Sequence, residues 1–230
     1  MFNLEPADIV LTISTGEDLF SRVKRWAIGP AFHVFMYMGR LVLLRDGYSG
    51  EVFNVPMIFE SNGRGVVLGS LSRHYGEQVI VMRITESWEL YTLPSTHITK
   101  TSAHLHGKKG YWTGQPCTQY REHIPQLLNE AIKLAGDPQA YYDYLCVARS
   151  IIPRIIYEKL GVPLWLIPEP LKYKRDLYQI CSEAILEISI RAGIPLLRDD
   201  IVPLPGDFFN SPKLRLVWAG ELSDEKGEEK

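Results

Sequence analysis

Short β-branched apolar runs dominate the first third of the chain, and longer stripes at helical spacing follow from residue 125. Asp8-Ile9-Val10-Leu11-Thr12-Ile13 predicts a buried strand. Phe32-His33-Val34-Phe35-Met36-Tyr37-Met38 predicts another. Side chains alternate across a sheet, so His33, Phe35 and Tyr37 share one face, and Phe32, Val34, Met36 and Met38 share the other. Gly39-Arg40 reads as a turn signal, with further strands at 41–45 and 51–60 around a turn at 46–50. Pro56 marks an edge or a bulge in the second of these. Residues 65–68 and 78–84 complete a meander, and 214–218 reads as a last strand.

Helical spacing appears at 16–27, where Leu19, Phe20, Val23 and Trp26 form the apolar side. It recurs at 125–135, closed by Gly136-Asp137-Pro138, and at 144–160, bent at Pro153. From Cys181 onward, Ala184, Ile185, Ile188 and Ala192 make one stripe that Gly193 and Pro195 end. Between 85 and 123 the periodicity fades into a long loop, and 221–230 is a charged tail without an apolar pattern. Strands first and helices later predict an α+β fold, as a single domain over 1–220.

Composition narrows the partners. A net charge of −2 gives no electrostatic footprint for nucleic acid. Three irregularly spaced cysteines make no disulfide framework and leave one unpaired, which fits a reducing compartment. The opening Met1-Phe2-Asn3-Leu4-Glu5-Pro6 lacks the basic and apolar regions of a signal peptide. The most apolar region, 151–171, is broken by Arg154, Glu158, Lys159 and four prolines, so no membrane span is expected. The expectation is a soluble, cytoplasmic protein.

Cys181 is the residue with the most chemical promise. It opens a helix with Ser182 and Glu183 in the first turn, where unpaired N–H groups and the helix dipole favour a thiolate. Such a cysteine is a candidate nucleophile if the fold brings a base to it, and otherwise a small apolar residue packed under the helix. His33 stands in an apolar strand and Glu60 closes another. Taken alone, the first reads as a core histidine and the second as a solvated strand end. His97, His104, His106, Cys117 and His123 lack the close paired spacing of structural zinc sites, so neither metal nor cofactor is expected. Gly63, Gly65 and Gly69 miss the dinucleotide fingerprint.

Five short pieces, taken in order, resemble the circularly permuted papain-like hydrolases, the YiiX-like branch of the NlpC-type superfamily that includes relatives of lecithin:retinol acyltransferase. They are Ala7-Asp8-Ile9-Val10-Leu11-Thr12, Phe32-His33-Val34-Phe35-Met36-Tyr37-Met38-Gly39, Ile58-Phe59-Glu60 with Gly65-Val66, Tyr142-Asp143-Tyr144, and Tyr178-Gln179-Ile180-Cys181-Ser182-Glu183. Ala7, Phe32 and Phe35 depart from the glycine, serine and glycine usual there, and an insertion at 46–54 separates the histidine and acidic strands. The resemblance implies an antiparallel meander sheet against helices, with Cys181 as nucleophile, His33 as base and Glu60 orienting it. It also implies amide or ester hydrolysis through a thioester. Tyr178 and Phe35 are the expected pocket residues, and the substrate is a small molecule, peptide, peptidoglycan fragment or lipid. A lipid acyltransferase or lipase on the same triad, and an inactive binding module, are the alternatives. Oligomeric state is not readable from these motifs.

Overall fold

The computed structural model describes residues 3–14, 30–45, 52–85, 123–142, 154–155, 159–161, 180–199 and 201–223. Its frame is a six-stranded antiparallel sheet: β1 (Ile9–Ile13), β2 (Ala31–Arg45), β3 (Val52–Asn62), β4 (Gly65–Ser70), β5 (Gln78–Ile84) and β6 (Leu214–Glu221). The spatial order is β4-β3-β2-β1-β5-β6. β1 to β4 form the expected meander. β5 then departs from it, crossing past three strands to pair antiparallel with the far side of β1. A 3-10 turn, Leu71–His74, begins that crossing.

Gly39 does not make a turn. It lies inside the 15-residue β2, at a shift of register between Tyr37 and Gly39. Its φ of +92° is the left-handed geometry that a bulge needs and that glycine adopts without strain. A Cβ there would meet Pro6 Cγ at 3.2 Å. Pro56 pairs with Arg40 one residue beyond the last β3–β4 pair, Met57 with Ser70, so its missing N–H falls where β3 has lost a neighbour.

The two faces of the sheet are both buried, by different partners. On one, Ile9, Leu11, Val34, Met36 and Phe59 pack against α1 (Ile124–Ala135) and α2 (Cys181–Arg191) through Leu127, Ala131, Leu134, Ala184, Ile185 and Ile188. On the other, Val10, Phe35, Tyr37, Ile58, Val79 and Val81 gather with Leu71 and Leu222. Fully burying one such aliphatic side chain contributes about 1.5–3 kcal/mol, so the layers hold chiefly by packing.

α2 follows the expected stripe but is buried on every side as far as Ser189. Its polar residues are tied in. Ser182 Oγ donates to the Pro203 carbonyl at 2.7 Å, and Ser189 Oγ donates to the Leu186 carbonyl and accepts from Leu196 N–H. Glu183 accepts from the Ile180 N–H at 3.0 Å, closing the helix entry beside Cys181. Gly193, at φ +78°, turns the chain out of the helix.

At the start of β1, Asp8 is buried and accepts from the Glu5 N–H and from Arg83 Nε and Nη2 at 2.7 and 2.8 Å. Burial pushes its carboxyl above the usual range, against the pull of Arg83. Ala7 takes φ +72°, a left-handed conformation, where the resemblance expects glycine. The helices expected at 16–27 and over most of 144–160, the greater part of the 85–123 loop and most of the 221–230 tail lie outside the described residues. No helix among the described residues is long and apolar enough to cross a membrane.

Candidate functional site

Two strands and a turn bring three ionisable side chains onto one spot. His33 comes from the start of β2, across from Thr12 of β1. The register shifts here, Thr12 facing His33 and Ile13 facing Ala31, so strict alternation breaks beside the histidine. A bulge at a strand end re-aims a side chain in this way. Glu60 comes from β3, paired with Val67 of β4. His74 comes from the last residue of the 3-10 turn that follows β4.

One carboxylate oxygen holds both imidazoles. Glu60 Oε2 lies 3.1 Å from His33 Nε2 and 3.3 Å from His74 Nε2. Its other oxygen accepts from Asn62 Nδ2 at 2.8 Å and faces Arg73 at 3.5 Å. Glu60 is only 3% exposed, so without these partners the charge would be costly to bury. Burial pushes its carboxyl up, but the hydrogen bonds of His33, His74 and Asn62 and the charge of His33 overcome this and hold it well below the usual carboxylate range.

Burial acts on His33 in the other direction, favouring the neutral ring. Hydrogen bonds with Cys181 and Glu60, and the charges of both, outweigh it and push the imidazole from 6.5 up to about 10. Nε2 is committed to Glu60, which leaves Nδ1 as the nitrogen available to the thiol. Cys181 is a free cysteine, buried, and the first residue of α2. Cys181 thus acts on His33, whose ring Glu60 holds from the other nitrogen.

His74 is the member that sequence reasoning missed. Its Nδ1 meets Glu77 Oε2 at 3.0 Å, so a carboxylate faces each ring nitrogen. Its ring stacks on Phe35 at 4.4 Å between centroids and lies near-parallel to His33 at 5.6 Å. Phe35 was expected as a pocket residue on the His33 face. It has no solvent-accessible surface and forms a floor under the histidines, because the strand buries this face as deeply as the other. Tyr178, and His97, His104, His106 and Cys117, lie outside the described residues. His123 immediately precedes α1, near Gly193, and is not among the residues grouped at this cluster.

Fold and site together define an α+β protein with an antiparallel sheet, a buried His–Glu–His cluster and a cysteine at a helix N-terminus hydrogen-bonded to it. No protein-family model and no curated protein matches the chain. Among solved structures, the chain is similar to the metalloprotein YiiX from Escherichia coli O157:H7, described as DUF1105. Identity is 15%, with 96% of this chain and 98% of that chain covered and a TM-score of 0.49. The likeness is one of outline.

Proposed function

We propose that the chain is a cysteine-nucleophile hydrolase of the permuted papain-like kind, cleaving an amide or ester bond through a thioester. The observation that carries this reading is His33, bonded at Nε2 to Glu60 and paired with the Cys181 thiol. That is a nucleophile, a base and an orienting acid joined in series, the arrangement that thiol acylation requires.

In the first half-reaction His33 holds the proton of the Cys181 thiol, and the sulfur attacks the substrate carbonyl. The negative charge moves to the carbonyl oxygen, where N–H groups in the first turn of α2 favour it. The intermediate collapses as the imidazolium gives its proton to the leaving amine or alcohol, leaving the acyl group on sulfur. His33 next takes a proton from water, hydroxide adds to the thioester, and the acid departs as the thiol is restored. Glu60 holds the ring by its Nε2–H and stabilises the imidazolium throughout; it does not itself exchange a proton. Peptides, peptidoglycan fragments and lipids all offer the bond.

Alkylation tests the reading at the level of the thiol. Iodoacetamide at pH 7 should modify Cys181 fast in the wild type and at least about 10-fold more slowly in His33→Ala, since the thiolate is the reacting form. Equal rates in the two proteins would remove the basis for a thiol nucleophile.

A further inference from the structure

The cluster around Glu60 has a second chemical capacity, independent of the thiol. His33 Nε2, His74 Nε2 and one Glu60 carboxylate oxygen all lie within 4.8 Å of one another. The two nitrogen–oxygen separations are 3.1 and 3.3 Å. A tetrahedral ion with bonds of about 2.0–2.1 Å holds its ligand atoms about 3.3 Å apart. Each histidine nitrogen therefore already stands from the shared carboxylate oxygen as two ligands of one ion would. We propose that they form a binding site for a divalent transition ion of the zinc type, which displaces the hydrogens now lying between the nitrogens and Glu60.

The surroundings fit that donor set. Two imidazoles and one carboxylate favour a transition ion over magnesium or calcium, which take oxygen ligands. Metal-bound histidines commonly donate their second N–H to a carboxylate, and His74 Nδ1 has Glu77 Oε2 at 3.0 Å for that purpose. Glu60 is aimed by Asn62 through its other oxygen, at 2.8 Å. Phe35 fixes the plane of the His74 ring from below. His33 keeps 19% of its side chain exposed, while Glu60 keeps 4% and His74 11%, so access and a fourth, solvent-filled position lie on the His33 side. Cys181 is not a ligand, because it is paired with His33 and Nε2 of that ring is the metal-facing nitrogen.

The ion and the His33–Glu60 hydrogen bond are mutually exclusive, since both need Nε2. Occupancy therefore silences the thiol; this consequence rests on the function proposed above, whereas binding does not. The test uses the full chain stripped with chelator and titrated with Zn²⁺ in competition with a chromophoric chelator. One tight Zn²⁺ per wild-type chain is expected, with affinity at this site lost by at least about 100-fold in His74→Ala and about 10-fold in Glu77→Gln. Glu77 is partly exposed, so its variant serves even if His74→Ala folds poorly. Cys181→Ser should bind as the wild type does, and the Co²⁺ form should lack a thiolate-to-cobalt charge-transfer band. Binding unaffected by both His74→Ala and Glu77→Gln, or abolished by Cys181→Ser, would overturn the site. A reactive, His33-dependent Cys181 with no Zn²⁺ bound sinks this inference alone, and Zn²⁺ bound beside an inert thiol sinks the hydrolase reading alone.

Discussion

Replacing Glu60 by glutamine keeps the volume and an acceptor oxygen at the centre of the cluster while removing its charge. The His33 Nε2 and Glu60 Oε2 atoms are 3.1 Å apart. Because both charges are delocalised, an effective separation of about 4 Å is appropriate, giving about 4 kcal/mol of attraction at an effective dielectric of about 20. That corresponds to about 3 units of pKa. Arg73, 3.5 Å from Glu60, already offsets part of the carboxylate's field at His33. The expected fall is therefore about 2 units, within the range a neighbouring opposite charge produces. The assay is an NMR titration of the His33 ring, assigned by comparison with His33→Ala, from a wild-type value of about 10.

Stability must follow the same titration. A histidine raised from 6.5 to about 10 by folding contributes its stabilisation fully below 6.5 and loses it as pH climbs towards 10. Wild-type stability to urea should fall over that window, and in Glu60→Gln it should fall less. Glu60 itself works the other way. Its contribution is present above 4.5 and is lost as the medium is acidified through its depressed folded value. A His33 midpoint that moves by less than about 0.5 unit in Glu60→Gln would refute the assignment of the shift to this contact.

Three further substitutions probe the frame. Arg83→Met leaves Asp8 buried without its guanidinium and should cost about 3 kcal/mol in denaturant unfolding; the loss should be larger at pH 8 than at pH 5, because burial already disfavours the charged carboxyl. Ala7→Gly relieves the left-handed strain at φ +72° and should stabilise the protein by about 0.5–1 kcal/mol, net of the added freedom of the unfolded chain. Gly65→Ala should destabilise by at least about 2 kcal/mol, since φ is +109° and the new Cβ would sit 2.8 Å from the Ala140 carbonyl oxygen; thermal melts decide both.

The elements that sequence reading places well are those whose signal is local. β1, β4, β5, α1 and α2 all stand where periodicity and their stop residues put them. Gly39 was legible as an interruption, but a positive φ serves a turn and a bulge alike, and only the pairing with β3 separates the two. The crossing of β5 to the far side of β1 is a matter of sheet closure at long range, which no local pattern encodes. Burial of Ser182, Glu183 and Glu187 in α2 is similar: each is polar in sequence and becomes an interior residue only once distant neighbours such as Pro203 arrive.

At the site, Cys181, His33 and Glu60 were each weak signals that order along the chain made worth following. His74 gave a fainter one, standing in Leu71-Ser72-Arg73-His74 between two strands where a polar turn is ordinary. Its one hint is that an arginine and a histidine follow the acidic strand at the length of a single hairpin. Phe35 was read correctly as sharing the His33 face, yet its depth depends on what Leu71 and His74 cover.

The central claim is that Cys181 accepts an acyl group with the help of His33. The most direct measurement is to mix the protein with an activated aryl ester, quench in acid and locate the acyl adduct by intact mass and peptide mapping. The account predicts one acyl group per chain on Cys181, absent in Cys181→Ala and formed much more slowly in His33→Ala. An adduct confined to another residue, or one that forms on Cys181 at the same rate without His33, would contradict it.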